Sequence, residues 1–261
     1  MDRLKCVGGI IGDILGKPYE FHPTKEKNFP WMNGIERYTD DSVMTVAVMD
    51  WLANGRDLVE SMQDWGRMNL SAGYGPGFRS WIISNEPRPY NSYGNGSAMR
   101  VSPVGWMFDT LEETLDWAEK SAVVTHNHPE GIKGAKAVAG SIWLARNGHT
   151  KDEIKQFCTD MLGYDMERGV DEIRKGYRFE VSCQKSVPEA IICFLQGTSY
   201  EDVVRNAISL GGDADTQACI AGSIAEAFGY EIPNILYGRV DRKLTTVMLE
   251  VIKQFNEKIK L

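Results

Sequence analysis

Apolar and polar residues follow one another along this chain mostly with the period of a helix. Leu111, Leu115, Ala118 and Ala122 recur at helical spacing, as do Ile132, Ala135, Ala139 and Ile142, with Gly148 as a stop. Further on, Ala218, Ala221, Ile224, Ala225 and Phe228 share one face, Gly229 closes the helix and Pro233 blocks its continuation. The run VMTVAVMDWL, from Val43, is apolar nearly all round, which predicts a buried central helix. The first helix carries Gly8, Gly12 and Gly16, a stripe without side chains that lets another element come very close. Alternating strands are scarce, and residues 177–182 read as strand or loop. Residues 71–103, rich in Gly, Pro, Asn and Tyr, read as a long loop system of the kind that carries function. The pattern predicts an all-α fold, a compact bundle of many helices. No repeat, linker or low-complexity stretch divides it, so residues 1–261 read as a single domain.

Composition narrows the partners. A chain of 261 residues with 43% hydrophobic and 25% charged residues can bury a substantial core. The net charge of −7 and pI near 5.2 make DNA unlikely as main partner but leave room for a nucleotide in a local site. Mean hydropathy is −0.31 and no apolar run approaches membrane-spanning length, so no membrane partner is expected. Asp13 and Lys17 interrupt the opening segment, which has no cleavage pattern of a signal peptide. Five cysteines, an odd number without a CxxC pair, fit inert thiols in a reducing, cytoplasmic setting.

Candidate chemistry concentrates in two acidic knots, YTDDS at 38–42 and GGDADT at 211–216, each just ahead of an apolar run. Asp, Ser and Thr at a helix start serve as caps, and one knot alone reads that way. Capping needs one oxygen, however, and each knot offers three or more. Asp213, Asp215 and the Thr216 hydroxyl can face one point at a turn into a helix, and Thr39, Asp40 and Asp41 can do likewise. Such hard oxygen ligands, without an obligatory His or Cys, select Mg²⁺, Mn²⁺ or Ca²⁺. Four carboxylates suit two divalent cations about 3.5–4 Å apart.

Three further segments stand out. In SYGNGSAMR, Gly94 and Gly96 flank Asn95, so the backbone can take positive φ and turn N–H groups toward an anion, with Ser92, Tyr93, Asn95 and Ser97 adding polar contacts. A tight loop followed by a structural Arg100 is the plainer reading, since neither a Walker A nor a GxGxxG pattern is present. In THNHPEG, Pro129 starts a helix, His128 reads as its start residue and His126 as a stacking or hydrogen-bonding pocket residue. A surface loop with incidental histidines fits that spacing equally. In GDILGKPYEF, Glu20 sits between Tyr19 and Phe21, either as a partly desolvated acid or base or as an exposed carboxylate beside packed rings.

Taken together, GGIIGDILGKPYEF, YTDDS, YGNGSAMRVSPVG with the later THNHP, and GGDADTQACIAGSIAEAFGYEIP resemble the ADP-ribosylglycohydrolase family, in order and across nearly the whole chain. Its founding members include the dinitrogenase reductase-activating glycohydrolase. The resemblance implies a compact all-α domain with a binuclear Mg²⁺ or Mn²⁺ centre in a cleft. By motif, Thr39, Asp40, Asp41, Asp213, Asp215 and Thr216 would be metal ligands. Glu20 and Asp41 would assist cleavage. Ser92, Tyr93, Gly94, Asn95 and Gly96 would hold the diphosphate of ADP-ribose, and His126 would line the adenosine side. Ser42 and Ala214 depart from the commoner family residues without removing a ligand.

The implied activity is hydrolysis at C1″ of an ADP-ribose conjugate, most plausibly arginine-linked or a related N- or O-linked conjugate, on a protein or a small molecule. Acidic ligands suit a two-metal phosphoester or diphosphate hydrolase equally well. A non-catalytic ADP-ribose-binding relative is the third reading, against which the four intact aspartates stand.

Overall fold

A computed structural model describes residues 3–31, 34, 36–240 and 242–259. Among these, the regular elements are helices: α1 (Gly8–Gly16), α2 (Asp40–Asn54), α3 (Leu58–Met68), α4 (Pro76–Ile83), α5 (Gly96–Met99), α6 (Ser102–Met107), α7 (Leu111–Val123) and α8 (Pro129–Arg146). There follow α9 (Lys151–Gln156), α10 (Val170–Gly176), α11 (Cys183–Gln196), α12 (Tyr200–Ile208), α13 (Ala214–Ala227), α14 (Asn234–Val240) and α15 (Thr246–Asn256). The only strand-like pairing among the described residues is an isolated bridge between Gly94 and Ser182, so residues 177–182 are loop and the all-α expectation holds.

Three buried helices organise the interior. Every residue of α1 and of α13 is buried, and α2 is buried from Asp41 to Asp50. The glycine stripe explains how α1 fits. A Cβ placed at Gly8 would lie 2.5 Å from the carbonyl oxygen of Gly222, one at Gly12 would overlap the carbonyl of Ala218, and one at Gly16 would lie 2.5 Å from Cα of Asp215. The two helices thus pack backbone against backbone, closer than any side chain allows. Glu226, near the end of α13, ties the start of α1 by accepting from the N–H groups of Val7 (2.9 Å) and Gly8 (2.6 Å). These are two of the donors a helix start leaves without intrahelical partners.

Local signals place the other ends as expected. Gly55 closes α2 at φ +67°, Pro129 is the first residue of α8, and His128 caps it by accepting from Glu130 N–H at 3.1 Å. The stretch 71–103 differs from its reading as continuous loop, because it contains α4, α5 and the start of α6. Pro76 sits at the first turn of α4, while Phe78, Trp81 and Ile82, three and four residues apart, are buried. One apolar face was enough to fold a helix inside a glycine- and proline-rich segment. All five cysteines are buried and unpaired. No helix among the described residues is long and apolar enough to cross a membrane.

Candidate active site

The close approach of α1 to α13 and α2 determines where the acidic knots lie. The fully buried carboxylate of Asp13, on α1, accepts from the Thr39 N–H (2.9 Å) and hydroxyl (2.7 Å) and from the Ser42 N–H (3.1 Å) and hydroxyl. It therefore caps α2 from another helix and fixes the first knot. Thr39 is also the local N-cap, its hydroxyl oxygen 3.3 Å from Asp41 N–H. The second knot is held at the start of α13. Gly211 takes φ +68°, a left-handed turn that side chains rarely adopt, and the Lys25 ammonium binds the Leu210 carbonyl oxygen there.

The knots meet across 175 positions of sequence, where the Thr216 hydroxyl donates to Asp41 Oδ2 at 3.3 Å. Carboxylate oxygens of Glu20, Asp213 and Asp215 lie within 4.8 Å of one another. Asn95 reaches in and donates from Nδ2 to Asp213 Oδ2 at 2.8 Å. Lys17 brings the only ammonium in ion-pair contact with these carboxylates among the described residues, joined to Glu20 and 3.8 Å from Asp215 Oδ2. One cation does not balance this set. Burial, then the charge of Asp13, lifts Asp40 to about 7. Burial and neighbouring carboxylates push Asp41 and Asp215 well above the usual range, and burial raises Asp213 and Asp13. Asp41 Oδ1 is buried with no hydrogen-bond partner.

The knots line a cavity of about 490 Å³, in the range of small-molecule sites. Glu20, Asp40, Asp41, Asp213, Asp215 and Thr216 line it, together with Ser92, Gly94, Asn95, Gly96 and His126. Thr39 lies behind them, buried against Asp13. Tyr93 is not among the lining residues. It is half exposed, and its ring stands edge-on to His128 at 5.4 Å.

The glycine loop departs from its expected conformation. Neither Gly94 nor Gly96 has positive φ. The Gly94 N–H is turned to the Ser92 hydroxyl (3.2 Å) and the Asn95 N–H to the Val181 carbonyl (2.7 Å), so neither amide faces an anion. The glycines instead make room: a Cβ at Gly96 would lie 3.0 Å from Nε2 of His126.

Asp13 is a site residue that the sequence marks only as the one charge in the otherwise glycine and apolar GGIIGDILG. Arg100 has more than the structural place that the plainer reading of the loop gives it. Arg100 is 1% exposed and lines the cavity. The segment Gly73–Gly77 and the exposed rings of Phe21 and Phe179, stacked 6.0 Å apart, complete the walls.

A family model described as ADP-ribosylglycohydrolase matches residues 5–259. Human ADP-ribosylhydrolase ARH3 is 27% identical, the match covering 85% of this chain and 83% of that protein. ADP-ribosylarginine hydrolase Tri1 of Pseudomonas putida is 24% identical over 87% of this chain and 70% of its own length. A solved structure titled ADP-ribosylglycohydrolase-related protein complex superposes with a TM-score of 0.74 at 22% identity, covering 97% of this chain and 95% of the other, which shows a common fold.

Proposed function

The chain belongs to the ADP-ribosylglycohydrolase family, and from that premise we propose that it hydrolyses the C1″ glycosidic bond of an ADP-ribose conjugate and releases ADP-ribose. An arginine-linked conjugate, or a related N- or O-linked one on a protein or small molecule, is the proposed substrate. The observation that carries this reading is the convergence of two distant acidic knots on the wall of one nucleotide-sized cavity.

The residues fit divalent cations. Crowded carboxylates with raised proton affinity, and a buried Asp41 Oδ1 without a partner, form a donor set short of positive charge. Thr39, Asp40, Asp41, Asp213, Asp215 and Thr216 would hold two Mg²⁺ or Mn²⁺ ions. Bound there, such ions supply Lewis acidity and lower the pKa of water.

The chain's own residues supply the rest. Asp13 takes the hydroxyl hydrogen of Thr39, leaving the Thr39 oxygen to act as a donor atom. As the glycosidic bond breaks, positive charge grows on the ribose. In this reading the Asp41 carboxylate stabilises that charge and Glu20 moves a proton at the reacting centre. Ser92, Gly94, Asn95, Gly96 and His126 bind the ADP portion, and this remote binding positions C1″.

A product assay tests the reading. ADP-ribosyl-arginine, ADP-ribosyl-serine peptide, O-acetyl-ADP-ribose and ADP-ribosylated nucleic acid are each incubated with Mg²⁺, Mn²⁺ or EDTA. Free ADP-ribose from one substrate, lost in EDTA and in Asp215→Ala, is expected. AMP as product would instead identify a diphosphate hydrolase. Full activity in a folded Asp215→Ala protein would sink the metal assignment.

A further inference from the structure

Arg100 and His126 line the cavity, and with the buried Thr125 they form a hydrogen-bond chain whose direction can be worked out. Arg100 is fully buried and, among the described residues, makes no ion pair with a carboxylate. Its Nη2 donates to the Ser121 carbonyl and to the Thr125 hydroxyl oxygen, both at 2.9 Å. A guanidinium only donates, so Thr125 accepts that bond. Thr125 Oγ1 also lies 2.7 Å from Nδ1 of His126, and no other acceptor for its hydrogen is within reach among the described residues. The hydroxyl hydrogen therefore goes to Nδ1, because a buried hydroxyl left without an acceptor is costly. Nδ1 is then the unprotonated nitrogen, and the ring proton sits on Nε2. The alternative, a doubly protonated ring, is opposed by burial and by the neighbouring Arg100 charge, which hold the His126 pKa well below its ordinary value.

His126 is 4% exposed, lines the cavity, and its Nε2 has no protein partner among the described residues. That nitrogen lies beside the glycine loop, where the amides of Gly94 and Asn95 are already engaged. We propose that Arg100 and Thr125 are positioning residues that lock His126 as the neutral Nε2–H tautomer. The wall then presents one fixed donor to an acceptor atom of the bound nucleotide. The identity of the ligand rests on the proposed function. The tautomer does not.

The test is a two-bond ¹H–¹⁵N correlation spectrum of histidine-labelled protein, in which only four histidines need assignment. Wild type is expected to show His126 with Nε2 protonated, Nδ1 accepting, and no titration between about pH 5 and 8. Thr125→Val should lose that single signature and weaken ADP-ribose binding roughly tenfold by calorimetry, with Thr125→Ser restoring both. An Nδ1–H signature in wild type, or an unchanged spectrum in folded Thr125→Val, overturns the proposal. If Thr125→Val does not fold, the wild-type spectrum still decides. Calorimetry with pyrophosphate and with adenosine tells which acceptor is read: the Thr125→Val penalty follows the ligand carrying that atom, and its absence from both overturns the recognition role. Wild type that binds no ADP-ribose retires the proposed function and the donor's role with it, while the spectrum still judges the tautomer.

Discussion

Gly16→Ala is the sharpest perturbation the fold offers, because it adds one methyl group and replaces no proposed ligand. The backbone at Gly16, φ −78° and ψ −30°, suits alanine, and helix propensity alone favours the change by up to about 1 kcal/mol. The new Cβ, however, would lie 2.5 Å from Cα of Asp215. Carbon atoms rest at about 3.5 Å or more, so the first turn of α13 must retreat by about 1 Å. Overpacking of that kind costs about 1–3 kcal/mol, which outweighs the propensity gain but stays well inside the roughly 5–15 kcal/mol that holds a protein folded. The catalytic consequence is larger. A shift of about 1 Å in a positioned group costs about a hundredfold in rate, near 2.7 kcal/mol of barrier. The assay pairs EDTA-sensitive ADP-ribose release with a thermal melt, using Gly176→Ala, where a Cβ meets nothing within 4 Å, as control. A soluble Gly16→Ala protein should melt a few degrees lower and turn over about a hundredfold more slowly, with the control unchanged. Turnover within a factor of three of wild type would refute the claim that α1 fixes the position of the second knot.

Asp13→Ala should remove the cap that α1 supplies to α2 and leave the Thr39 and Ser42 donors unpaired, costing about 1–3 kcal/mol or more in chemical denaturation and weakening Mn²⁺ binding by calorimetry. An unchanged Mn²⁺ affinity would count against its role in holding the first knot. Asn95→Ala frees Asp213 Oδ2 of its 2.8 Å bond, so metal affinity should change along with ADP-ribose affinity, and a change confined to ADP-ribose would show that this bond is idle. Glu226 carries the pH prediction. Burial raises it to about 7 from an ordinary 4.5, so the folded state holds a proton that the unfolded chain releases. Its contribution is fully favourable below about pH 4.5 and is lost as pH rises to about 7, by up to ~3 kcal/mol. Glu226→Gln keeps an oxygen acceptor for Val7 and Gly8 and should flatten that slope in denaturation curves at pH 5 and 8; an unaltered slope assigns it elsewhere.

Helices were legible in the sequence wherever one apolar face sufficed, as in α7, α8 and α13, with Pro129, Gly148 and Gly229 marking ends of the last two. Helix α4 was hidden because Gly and Pro dominate its surroundings and its apolar face has only three buried residues. At the site, acidic knots at two helix starts could be read as hard-oxygen donors from residue type alone. Tyr93 and the glycine loop could not be placed that way. Which amides a loop spends on itself depends on Ser92 and on Val181, the latter nearly ninety positions downstream. Arg100 looked structural because a buried guanidinium whose Nη2 bonds a carbonyl and a hydroxyl leaves no mark on local sequence.

Asp13 shows most clearly what connects the legible and the illegible parts. Its partners lie 26 and 29 positions away, and periodicity marks it only as an intruder in an apolar helix. Yet the same nine residues that hide it carry the stripe that was readable, Gly8, Gly12 and Gly16. The glycine face brings α1 against α13 at backbone distance, and Asp13 clamps the start of α2. Two knots joined to each other by the Thr216–Asp41 bond are thereby held at a common point by a third helix. A glycine stripe with a buried acid inside it thus encodes a distance between two other segments. That distance leaves four aspartates close enough to raise one another's proton affinity and to want a cation between them. Lengthening it by a single methyl group is the cheapest way to learn whether catalysis depends on it.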